Sequence, residues 1–132
     1  MRSLDTNVLV RYLAADDPKQ LAAAERLIAE CRDHDEPIYV TVLVLCELVW
    51  VLSRSYGQSK AAITEIVGQL LGMDQLRIER EEVVRRCLEL YRRGKGNFTD
   101  YLIGEISRQA GCRDTVTFDH GLKGAPGFTL LG

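Results

Sequence analysis

Ile38-Tyr39-Val40-Thr41-Val42-Leu43-Val44-Leu45-Cys46-Glu47-Leu48-Val49-Trp50-Val51-Leu52 is the stretch whose reading decides the fold of this 132-residue chain. Ile38–Val40 reads as a strand and Thr41 as the N-cap of a helix running from about Val42 to Tyr56. Gly57 suits the C′ position that closes it. That helix is apolar almost all round, which places it in the middle of the molecule. Glu47 is the exception. An ionised carboxylate among Leu45, Cys46, Leu48 and Val49 is costly unless it is paired, and its possible partners are an arginine, a helix terminus or a metal ion.

Working outward, Arg2–Leu4 reads as a short strand that leads through Asp5 into a helix bearing Val8, Leu9, Tyr12 and Leu13 at helical spacing. Asp16-Asp17 form a turn, and Pro18 opens a second helix that runs to about Arg32. Beyond Gly57, Ser59 caps a helix to about Leu71, Gln75–Ile78 is a strand, and a helix spans about Arg80 to Arg93. Gly94-Lys95-Gly96-Asn97 breaks the chain, and Thr99 caps a helix that Gly111 ends. Thr115–Phe118 and Phe128–Leu131 are further strands, separated by a helical turn at Asp119–Leu122. Strands alternating with helices give an α/β fold with a small parallel sheet of four or five strands, covered on both faces. Function in such sheets sits at the carboxyl ends of the strands.

The length is that of one domain, and no linker or repeat divides it. An apolar fraction of 46% and a charged fraction of 27% are those of an ordinary globular protein and exclude a disordered or fibrous chain. No apolar run is long enough to span a membrane. Met1–Asp5 carries no signal-peptide core, so a cytoplasmic location is expected. The net charge of −2 does not indicate a strongly basic nucleic-acid binder, although local patches can hide in such a sum. Cys31, Cys46, Cys87 and Cys112 are widely spaced and form no zinc-binding pattern, so reduced, mostly buried thiols are expected.

Four acids fall where chemistry is expected. Asp5 and Asp119 end strands, Glu47 lies in the apolar helix, and Asp100 is in the first turn of the helix before the fourth strand. Asp5 is equally readable as a helix cap, and Asp100 as a charge complementing a helix dipole. Taken together, the four favour a shared acidic pocket. Carboxylates without a histidine, serine or cysteine partner suit a hard cation, Mg²⁺ or Mn²⁺, which holds a phosphate and activates water. His120, next to Asp119, is a possible base but reads better as an exposed loop residue.

These segments match a family. Leu4-Asp5-Thr6-Asn7-Val8-Leu9-Val10-Arg11-Tyr12-Leu13 resembles the opening of a PIN domain. Leu45-Cys46-Glu47-Leu48-Val49-Trp50-Val51-Leu52 resembles its second motif, Asn97-Phe98-Thr99-Asp100-Tyr101-Leu102-Ile103 its third, and Thr117-Phe118-Asp119 its fourth. The match covers nearly the whole chain in order, and the length resembles that of the VapC toxins of bacterial toxin–antitoxin pairs. The resemblance implies a PIN-like three-layer α/β/α fold and a Mg²⁺- or Mn²⁺-dependent endoribonuclease acting on RNA. It also implies a homodimer silenced by a small VapB-type antitoxin. It assigns Asp5, Glu47, Asp100 and Asp119 as catalytic metal and water ligands, oriented by Thr6, Asn7 and the Thr117 hydroxyl. Many relatives carry an acid where this chain has Asn97, whose amide can still hydrogen-bond but adds no charge.

Arg85, Arg86, Arg92, Arg93 and Lys95 cluster upstream of Asp100 and are expected to contact the RNA backbone. A solvated helix face is the plainer reading of the four arginines. Tyr12 and Trp50 are candidates for a groove that receives the antitoxin, with core packing as the plainer reading of Trp50. Two rival functions compete. An HAD-type phosphohydrolase needs a second acid two residues after Asp5, where this chain has Asn7. A catalytically weak PIN-like RNA- or protein-binding module should have lost acids from the pocket, and all four are present.

Overall fold

β2 (Ile38–Val40) lies between β1 (Arg2–Ser3) and β3 (Leu76–Ile78), parallel to both, in a computed structural model that describes all 132 residues. The remaining elements are α1 (Thr6–Ala14), α2 (Pro18–Asp33), α3 (Val42–Arg54), α4 (Lys60–Leu71), α5 (Glu81–Arg93), α6 (Phe98–Gln109), β4 (Thr115–Thr117) and β5 (Phe128–Leu130). A single 3-10 turn, His120–Leu122, joins the last two strands. No helix is long and apolar enough to cross a membrane.

The helix starts follow from local chemistry. Asp17 accepts a hydrogen bond from the Gln20 N–H at 3.1 Å, with Pro18 at the first helical position. Thr41 Oγ1 accepts from the Val44 N–H and Ser59 Oγ from the Ala62 N–H, both at 3.1 Å. The start of α6 corrects the sequence reading. Its N-cap is Asn97 rather than Thr99, and Asp100 at the third helical position accepts from the Asn97 N–H at 2.9 Å. At the other end of α3, Ser55 is the C-cap, and Gly57 follows in the left-handed region with φ +61°.

The fold is α/β and every strand pair is parallel, but the five strands do not form one sheet. β1–β3 make one ladder and β4–β5 another. β1 is only two residues long and both are exposed, so its free edge offers few groups for a further ladder. The β4–β5 ladder is not covered on both faces as a parallel sheet normally is. None of its residues is buried, and Val116 is half exposed.

α3 departs furthest from expectation. Val44, Leu45, Leu48, Val49 and Leu52 are buried, and each contributes about 2 kcal/mol by leaving water. The opposite face is open. Leu43 is 73% and Trp50 61% exposed, and Glu47 lies exposed between them. Positions 43, 47, 50 and 54 share one face of a 3.6-residue helix, so α3 is a one-sided helix and not a central one. Tyr12 is half-buried against the core. Of the four thiols, all free, Cys31 and Cys87 are buried and Cys112 is exposed, against expectation.

The buried acid is Glu105, on α6, and nothing in the sequence singled it out. It is paired by Arg86 from α5 and by Arg108 one turn along its own helix, whose Nη2 donates at 2.6 Å. The hydrogen bond from Arg108, followed by the charge of Arg86, holds its carboxyl below the ordinary glutamate range. A lowered folded value stabilises the protein above the unfolded pKa, and that contribution disappears as pH falls through the folded value. Glu105→Gln is therefore expected to destabilise the protein at pH 7 by about 2 kcal/mol. Denaturant titrations at a series of pH values should show that gap closing below about pH 4. A gap independent of pH would refute the charged pairing.

Candidate functional site

Parallel strands put their carboxyl ends on one side. Asp5 follows Leu4 there, Thr41 follows β2, and Glu79 follows β3. Asp5 Oδ1 accepts from the Thr6 N–H at 2.7 Å, so the carboxylate caps α1 and keeps its second oxygen free. Thr6 is buried, and its hydroxyl has no partner at all. Asn7 is exposed on the same first turn. Asp119 repeats the pattern at the end of β4. Its Oδ1 accepts from the Gly121 N–H at 2.8 Å, and the Thr117 hydroxyl accepts from the Asp119 N–H at 3.0 Å. Asp100 uses Oδ2 in the α6 capping interaction, which leaves Oδ1 available.

Packing carries α3 toward these acids. α3 packs against α1, behind Asp5, and against α6, behind Asp100. Trp50 and Arg54 line a cleft with Asn97, Thr99 and Asp100. Burial pushes the Cys46 thiol up, with the Glu47 charge adding to it. Burial pushes Cys87 up to about 12, with Glu105 adding to it. Neither thiol is a nucleophile at neutral pH.

None of Asp5, Glu47, Asp100 and Asp119 is in an ion pair, a condition they share with nine other acids of the chain. No three His, Cys, Asp or Glu side chains stand together as a ready cation cage. The donor set nevertheless fits a small hard cation. Mg²⁺ keeps several waters and is usually bound through only one or two carboxylates. Each of the four acids has a free oxygen, and an unpartnered buried hydroxyl sits beside Asp5.

A comparison with protein-family models matches residues 3–127 to the PIN domain. The chain belongs to the PIN-domain family. PIN domains are nucleases that generally use divalent metals, and the six helices and parallel strands seen here agree with that fold. Among curated proteins, no sequence matches the chain.

Of the five basic residues expected to contact RNA in this PIN domain, the four arginines are engaged with acids. Arg85 donates to the Leu71 carbonyl at 3.0 Å and lies 3.5 Å from Glu81. Arg86 pairs with Glu105, while Arg92 at 2.5 Å and Arg93 at 3.3 Å share Glu89. Lys95 is exposed and in no ion pair. Reading the sequence missed Glu79. It directly follows a strand, which was the signal to use, and its Oε1 accepts from the Val42 N–H at 2.9 Å, anchoring the start of α3.

Two glycines shape the loop that carries Lys95 and Asn97. A Cβ at Gly94 would overlap the Tyr101 hydroxyl and lie 2.9 Å from the Leu90 carbonyl oxygen. The same hydroxyl accepts from the Gly96 N–H at 3.0 Å. Gly94→Ala is therefore expected to destabilise the protein by about 1–3 kcal/mol. Gly68, on α4 with open space around it, is the counterpart. Gly68→Ala should stabilise by about 0.5–1 kcal/mol. Thermal melts of the two variants should move in opposite directions, and a neutral Gly94→Ala would show that the loop is not clamped.

Proposed function

We propose that this PIN domain is a Mg²⁺- or Mn²⁺-dependent endoribonuclease that hydrolyses RNA phosphodiester bonds, as the toxin of a toxin–antitoxin pair. The observation that carries the reading is the donor set. Asp5, Asp100 and Asp119 each fix one carboxylate oxygen on a backbone amide and keep the other free, and Glu47 is exposed, in a chain whose family is one of nucleases.

A divalent ion bound by these acids supplies an activated water and offsets phosphate charge. The chain's own residues do the rest. The Thr6 and Gly121 amides fix one oxygen each of Asp5 and Asp119 and leave the other turned to ligand or water. Asp100 is held at the α6 N-terminus, where the Asn97 amide fixes its orientation. The helix N-terminus there also favours an anionic substrate. Asn97 contributes no charge, so the proposed ligands are three aspartates and Glu47, with Glu79 at the same strand ends held by the Val42 N–H. Glu47 stands between Leu43 and Trp50, on a face open to a partner. That apolar face, with Tyr12 half-buried on α1, supports a VapB-type antitoxin as the covering partner and a homodimer as the assembly.

Single-stranded RNA incubated with the protein and Mn²⁺ or Mg²⁺ should be cut to 5′-phosphate and 3′-hydroxyl ends, since water rather than a ribose 2′-hydroxyl attacks. Asp5→Asn and Asp100→Asn should each abolish cutting while the protein stays folded. Equal cleavage in excess EDTA, or 2′,3′-cyclic phosphate ends, would overturn the mechanism. Expression in bacteria should arrest growth, with rescue by the adjacent small reading frame. Unimpaired growth with active enzyme would remove the toxin role alone.

A further inference from the structure

Beside Asp119 lies a cleft of about 590 Å³ whose charged lining is entirely cationic, Arg93, Lys95 and Lys123, with His120 among them. No carboxylate lines it. The volume is within the ~300–1,000 Å³ of typical ligand clefts. Lys95 and Lys123 are exposed, and neither is in an ion pair. Arg93 is shared with Glu89 at 3.3 Å. Elsewhere on the chain, Arg11, Arg85, Arg86, Arg92 and Arg108 are bound to acids within their own neighbourhood. Ten of the seventeen lysines and arginines are in no ion pair, and what sets Lys95 and Lys123 apart is that both face one acid-free cleft.

The backbone of the cleft is held in place. Lys60 Nζ donates to the Gly94 carbonyl at 2.6 Å, and the Tyr101 hydroxyl accepts from the Gly96 N–H at 3.0 Å, so the loop is tied on either side of Lys95. On the facing segment, Gly121 is tied to Asp119 at 2.8 Å. A Cβ at Gly121 would lie 3.4 Å from the Lys95 carbonyl, so the two segments are in contact across the mouth of the cleft. Little ordering remains to be done when an anion arrives, which favours affinity.

We propose that this cleft is a phosphate subsite for the RNA strand, taking a phosphodiester that flanks the scissile one, with Lys95 and Lys123 as its main contacts and Arg93 in support. The proposal rests on the ribonuclease reading. The cleft lining includes His120 and Gly121, and the Gly121 amide is bonded to the Asp119 carboxylate, so an RNA strand that reaches Asp119 passes beside the cationic cleft. An acidic peptide would share the charge but presents no phosphodiester to the acid beside the cleft. The subsite adds cationic contact beside a site that would otherwise repel a polyanion.

The test is binding of a fluorescently labelled 12-nucleotide single-stranded RNA, followed by anisotropy, with the Asp5→Asn protein in EDTA. Lys95→Gln combined with Lys123→Gln should weaken binding about tenfold at low salt and flatten the slope of log affinity against log salt by about 1.4, about 0.7 for each lysine replaced. Lys123→Arg should restore its share, and Lys19→Gln, exposed on α2, should change nothing. Unchanged affinity and slope in the double variant, with RNA cut by the wild-type protein, would overturn the subsite and leave the ribonuclease reading standing. Loss of binding to a poly-glutamate peptide with RNA affinity intact would assign the cleft to an acidic protein segment instead. A wild-type protein that neither binds nor cuts RNA would overturn both.

Discussion

Ile38 and Val40 expose none of their surface, because β2 is hydrogen-bonded on both sides and both side chains point to its buried face, with Tyr39 half-buried on the other. The other elements are arranged around that triplet. Its parallel partners point their carboxyl ends the same way, so the residues leaving β1, β2 and β3 emerge together. Asp5, Thr41 and Glu79 are those residues, and each begins or anchors a helix. The three-stranded ladder is thus both the centre of the core and the device that aligns helix starts at one end of the molecule.

The same side chains that start elements are those available for chemistry. Asp5, Asp100 and Asp119 each spend one oxygen on a backbone amide and keep one free. Capping fixes a carboxylate's direction without neutralising it. This is how a small domain can hold several acids in place with no cationic partner. The cost is moderate, since all except half-buried Asp100 are exposed and remain hydrated. Glu105 is the contrast. It is buried, and two arginines neutralise it, so its charge goes into joining α5 to α6.

Tyr101 links the acid-bearing helix α6 to the segment before it. Its buried ring and hydroxyl fill the space that side chains at Gly94 and Gly96 would occupy. The turn between α5 and α6 therefore has a single tight conformation, which sets where Lys95 stands relative to Asp119. Lys95 and Asp119 are consequently held near one another, with Gly121 in contact with the Lys95 carbonyl, although they come from opposite ends of the final third of the chain.

The sequence determined the order of strands and helices, their parallel pairing and most helix caps, because each depends on residues a few positions apart. Thr41, Ser59 and Pro18 mark helix starts wherever they fold. It also determined the four acids and the family pattern that connects them. Only the tertiary structure decided which face of α3 is buried. The apolar run from Val42 to Leu52 carries no periodicity to orient it, and Trp50 and Glu47 lie on its exposed side, where Trp50 lines the cleft with Asn97, Thr99 and Asp100. The division of the strands into two ladders, the burial of Glu105 and the freedom of Lys95 beside its neutralised neighbours were likewise decided there. Each depends on which distant groups meet, and pairing across α5 and α6 is not written in the spacing of either helix.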